Sequence, residues 1–226
     1  MAENTDRGVL IEFDYTAIDG ALLLHEAAAK IFGGFGIADK FGKMAEARYF
    51  SGKPYVAGAA AFLSSVKSKR TAEKTATCIG DELDKSLAAA MPAVAAASET
   101  RNFFKTIAAS GAKIIVITQT DPAVLCEKVG MERGDNFVIH RDKSTVYGGG
   151  RPEIWRGICA KNHLSPLRSL IVVGGTASLK GAIARGFATA AVVHEHVAYG
   201  DFGGADVVTS KMDTALARKI LSVLRL

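Results

Sequence analysis

Cysteine is scarce in this chain. Three thiols, Cys78, Cys126 and Cys159, occur among 226 residues, an odd number with no metal-like spacing. The opening stretch MAENTDRG is polar and is not the apolar core of a signal peptide. A reducing, cytoplasmic location is therefore expected. No apolar run reaches the roughly 18–20 residues that a membrane-spanning helix needs, so no membrane partner is expected. Long basic runs are missing too. The net charge of +5 and a pI near 9.1 favour anionic ligands, but scattered lysines and arginines without a recognition motif give no case for nucleic acid.

What is present has two textures. "VLIEF" (9–13) is an apolar run of strand length ending in polar residues. From Gly20 to about Ser98 the sequence turns rich in alanine and leucine at helical spacing, with almost no β-branched runs. Beyond that point strands and helices alternate. The strands are "AKIIVIT" (112–118), "NFVIH" (136–140), "LRSLIVVGG" (167–175), "ATAAVVH" (188–194) and "ADVVTS" (205–210). Between them lie helical stretches, one of which has Pro122 just inside its start and Gly130 just past its end. Repeated strand–helix units with apolar strands imply an α/β fold of three layers, with a parallel sheet covered on both faces. The expected division is a core of residues 1–19 and 99–226 with a helical cap at 20–98. Ligands of such folds sit beyond the carboxyl ends of the strands, which singles out Glu12, Asp14, Thr118 and the Gly174-Gly175-Thr176 turn.

The order of these motifs resembles the haloacid dehalogenase (HAD) superfamily, in the helical-cap branch of phosphoglucomutase-like and phosphoglycolate phosphatase-like enzymes. That family's first motif is a strand ending Asp-x-Asp-Gly-Thr-Leu-x-Asp. "VLIEFDYTAIDG" matches the strand, the second Asp (Asp14), the Thr (Thr16) and the later Asp (Asp19). "KIIVIT" ends on Thr118 as the second motif does, and "GRPEIW" places Arg151 where the third has a lysine. "LIVVGGTASLKG" lines up with the fourth. The resemblance implies a Rossmannoid core, a phosphate ester as substrate and magnesium as cofactor.

Besides Arg151, four positions depart from it. Glu12 stands for the nucleophilic Asp, Tyr15 for a flexible glycine, Gly175 for a magnesium-binding Asp and Leu179 for a further acid. No Asp or Glu lies between Leu170 and Val193. Glutamate's extra methylene moves a carboxylate by more than an ångström, a misplacement that costs about 100-fold in rate. The leading expectation is a HAD-like protein with degenerate catalytic positions, no cofactor and no ordinary magnesium-dependent phosphatase activity. In this reading Thr118 and Arg151 hold the phosphate of a small ligand, or the protein engages a partner. An active phosphohydrolase is the alternative, with Asp14 as acid/base and Glu12 as altered nucleophile or ligand. A second register makes Asp14 the nucleophile. The third reading is a structural protein that forms a homodimer through its cap.

His194 and His196 alternate as on one strand, yet the sequence offers no evident third metal ligand, and a loop after a terminal strand accounts for them more plainly. His25 reads as a packed helix residue. "GGTASLKG" is not the G-x-G-x-x-G of a dinucleotide loop.

Overall fold

The computed structural model describes residues 7–50, 53–66, 73–141 and 152–225. Six strands among them form one sheet: β1 (Gly8–Glu12), β2 (Lys113–Thr118), β3 (Phe137–Arg141), β4 (Ser169–Val173), β5 (Ala188–Val192) and β6 (Val207–Thr209). Their order is β3-β2-β1-β4-β5-β6, and every neighbouring pair is parallel. The short apolar runs account for this, since a strand buried on both faces needs no polar alternation.

Alternate residues of each strand feed opposite faces. Val9, Ile11, Ile114, Val116, Leu170 and Val172 join one cluster. It is covered by α6 (Ser98–Ala109), α7 (Pro122–Val129) and α10 (Thr214–Leu224). Leu10, Ile115, Ile117, Ile171 and Val173 join the other, under α8 (Pro152–Lys161) and α9 (Thr176–Ile183). The cap signals of α7 hold: Pro122 opens it, and Gly130 closes it in the left-handed conformation at φ 67°.

Between β1 and β2 lie α1 (Phe13–Thr16), α2 (Gly20–Gly34), α3 (Lys43–Tyr49), α4 (Tyr55–Ser65) and α5 (Glu73–Ala90). Helices α2, α4 and α5 bury a third cluster of their own, built from Leu24, Phe32, Phe62, Ile79 and Leu83 among others. The crossing of α4 and α5 depends on Gly80. A Cβ there would stand 2.7 Å from the Val56 backbone nitrogen. Contacts between this cap and the core include Tyr15 with Tyr55, Lys43 with Glu195, and a histidine–glutamate cluster.

Candidate functional site

β1 occupies the middle of the sheet, where the connection order reverses between β2 and β4. The crevice beyond the strand ends at such a reversal is the usual ligand site of open parallel sheets. The sequence suggests a strand through Phe13. Instead the strand stops at Glu12, and Phe13–Thr16 wind into the single helical turn α1, all four side chains buried.

Asp14 is the centre of that turn. Its Oδ1 accepts hydroxyl hydrogen bonds from Thr118 (2.6 Å) and Thr120 (3.1 Å), and its Oδ2 accepts the Gln119 N–H (2.7 Å). The Thr118 oxygen in turn accepts the Thr120 N–H at 2.9 Å. Burial pushes the Asp14 carboxyl above its ordinary value, against the downward pull of these three donors. The Thr118 hydroxyl is thus committed to Asp14 rather than directed to open space.

Glu12 follows the alternation of β1 and lies on the same face as Leu10, toward α9. Ser178 on that helix donates its hydroxyl to Glu12 Oε1 at 2.8 Å. Thr16 donates to the Glu12 carbonyl at 2.7 Å and closes the turn. Gly175 begins α9 in extended conformation, and Leu179 is wholly buried against the sheet. The structure therefore brings Glu12, Asp14, Thr16 and Thr118 together at one strand end. Arg151 lies outside the described residues.

Gly174 fixes how tightly this end is filled. A Cβ on it would come within 2.0 Å of the Tyr15 carbonyl oxygen, so α1 rests directly on the β4 turn. A magnesium ion needs several oxygen ligands in near-octahedral array. Here the Asp14 carboxylate is engaged by three donors, one Glu12 oxygen by Ser178, and position 175 supplies no side chain. These residues do not fit that ion.

Two participants escape sequence reasoning. Ser178 ends the small-residue run 174–178 and carries no pattern of its own. Thr120 had a signal: hydroxyls at 118 and 120, on either side of Gln119, are suited to converge on one acceptor.

A groove of about 810 Å³ opens elsewhere, between the cap and the loop after β5. Lys40, Lys43, Arg48 and Tyr49 line it from the cap, and Tyr199 and Gly200 from the core. The Arg48 guanidinium lies 5.6 Å from the centre of the Tyr49 ring, and Tyr199 is 62% exposed. The volume lies within the range of small-molecule sites.

No protein-family model matches the sequence, and a search of curated proteins finds no relative of it. Solved structures do match. CbbY from Rhodobacter sphaeroides, in complex with phosphate, superposes with a TM-score of 0.64 at 17% identity, over 91% of this chain and 94% of that one. β-Phosphoglucomutase from Clostridium difficile gives 0.67 at 13% identity, over 98% and 100%. A family IA, variant 3 HAD hydrolase from Entamoeba histolytica gives 0.65 at 12%, over 97% and 100%.

The chain has the HAD-hydrolase fold. Within the HAD fold, α2–α5 form the helical insertion between the first two strands, and the Glu12–Asp14 turn lies at the carboxyl end of β1.

No described helix is long and apolar enough to cross a membrane.

Proposed function

We propose that this protein is a non-hydrolytic HAD-fold protein that binds a phosphorylated small molecule. One observation carries the first half: the Asp14 carboxylate is occupied by three donors from the end of β2 while α1 fills the crevice above it. A carboxylate held in this way ties β1 to β2. It is not poised over a substrate. The second half rests on the cap–core groove, where Lys40, Arg48 and the exposed Tyr199 offer cationic and aromatic contacts to an anionic metabolite. Arg48 has the planar fork that phosphate oxygens accept in pairs. Three free thiols support placing the protein in the cytoplasm.

A second reading, hydrolysis of a small phosphate ester, has its own support. Burial holds the Asp14 carboxyl above its ordinary value, the direction required of a proton donor near neutrality.

The test is phosphate release from a panel of small phosphate esters, with and without magnesium, for wild type and Asp14→Asn. It is run beside calorimetric binding of the same esters to wild type and Arg48→Ala. We expect no turnover above the Asp14→Asn background, and binding that Arg48→Ala weakens. Magnesium-dependent turnover abolished by Asp14→Asn would replace this reading with the second. A stable oligomer with neither turnover nor binding would leave an assembly role.

A further inference from the structure

His25 on α2, Glu46 on α3 and His196 on the turn of residues 195–197 converge where the cap meets the core. The alternation of His194 and His196 allows a shared strand, but a loop after the strand is the plainer reading. β5 ends at Val192, so both lie beyond it, and the two rings part company. His194 Nε2 faces the Thr16 carbonyl at 3.3 Å, whereas His196 turns toward the cap.

One donor atom from each of His25, Glu46 and His196 lies within 4.8 Å of the other two. His25 Nδ1 is 3.0 Å from Glu46 Oε2, and His196 Nδ1 is 3.7 Å from the same oxygen. Ligands 2.0–2.1 Å from a tetrahedral zinc ion stand about 3.3 Å apart. The two separations bracket that value.

The cluster is also built into the protein. Glu46 is 3% exposed and His196 is 8% exposed. Phe41 stacks on the His25 ring at 5.6 Å and fixes its plane. Lys43 pairs with Glu195. His196 Nδ1 is buried, and among the described residues it has no hydrogen-bond partner. Buried polar atoms are nearly always satisfied, so an orphan aimed at a carboxylate and a second imidazole calls for an occupant.

We infer that His25, Glu46 and His196 form a site for a divalent transition-metal ion of the zinc type, which clamps the helical cap to the α/β core. Two imidazoles and one carboxylate suit zinc and its first-row neighbours rather than magnesium or calcium. Half-buried His25 leaves the fourth position toward solvent for a water or a ligand group. This site is separate from the strand-end residues, and its test does not depend on the binding proposal above.

The experiment strips the purified protein with a chelator and titrates zinc by calorimetry while following the thermal midpoint. Wild type, His196→Ala, Glu46→Gln and a control, His140→Ala on edge strand β3, are compared. Cobalt added to wild type provides a second readout, since its visible absorption reports ligand number and type without any mutation. We expect one zinc per chain, a raised midpoint, and a cobalt band of four-coordinate nitrogen–oxygen character that zinc removes. His196→Ala and Glu46→Gln should weaken binding by more than the roughly 10–100-fold caused by losing an outer-shell partner. His140→Ala should bind like wild type. Absence of a zinc-displaceable cobalt band in wild type would overturn the inference, as would zinc affinity unchanged in both cluster variants.

Discussion

The hydroxyls of Tyr15 and Tyr55 meet at 3.1 Å inside the molecule, one on the turn that follows β1 and the other at the start of α4. Tyr15 is thereby a strut between core and cap. Burial raises the Tyr15 phenol above its ordinary value, so it stays protonated at any working pH. A double-mutant cycle of Tyr15→Phe and Tyr55→Phe, measured by urea unfolding, should return a coupling energy of about 0.5–1.5 kcal/mol. Strictly additive single-mutant effects would mean that the pair carries nothing beyond packing.

Asp14 is predicted to be a stability residue. Asp14→Ala strands the Thr118 hydroxyl, the Gln119 amide and the Thr120 hydroxyl, two of them on buried side chains. Each buried donor left unsatisfied costs about 1–3 kcal/mol. A loss of about 3–5 kcal/mol in denaturant unfolding is expected, with Asp14→Asn also destabilising because its amide N–H₂ would face donors. A wild-type midpoint in Asp14→Ala would refute this account of the turn.

How much of this was legible in the sequence depends on the range of the interactions. β2 and β4 announce themselves through continuous apolar runs at 114–117 and 170–173, and α7 through Pro122 and Gly130. Helix α1 does not. Four residues are too few for a periodic pattern, and Phe13–Thr16 owe their conformation to Thr118, Thr120 and Gly174, each more than a hundred residues away. His25 and Glu46 are 21 residues apart, and His196 comes 150 residues after Glu46. Their meeting is a product of the tertiary fold, and no spacing rule encodes it.

Gly174→Ala should be among the most damaging small substitutions in the chain. Its new methyl would be driven against the Tyr15 carbonyl, which is backbone and cannot rotate away. The upper end of the roughly 1–3 kcal/mol typical of overpacking is expected by thermal unfolding. Gly34→Ala, where a Cβ meets nothing within 4 Å, is the matched control and should be neutral or slightly stabilising.

The three thiols should separate cleanly by reactivity. Cys78 is exposed, Cys126 intermediate and Cys159 buried, and burial raises the Cys159 pKa to about 11. Alkylation proceeds through the thiolate. At pH 8 mass spectrometry should find Cys78 labelled first and Cys159 unlabelled until the protein is unfolded. Early labelling of Cys159 would show that the face under α8 opens readily.

The order of strands in the sheet has a consequence for synthesis. β1 leaves the ribosome before every other strand of the sheet, yet its hydrogen-bonding neighbours begin at Lys113 and Ser169. The intervening helices carry a cluster of their own and have a local route to collapse. Meanwhile "VLI" waits with both edges unpaired, a segment prone to associate with other nascent chains. Closure of a loop of about a hundred residues or more must precede its pairing with β2 and with β4, the kind of long-range contact that slows folding.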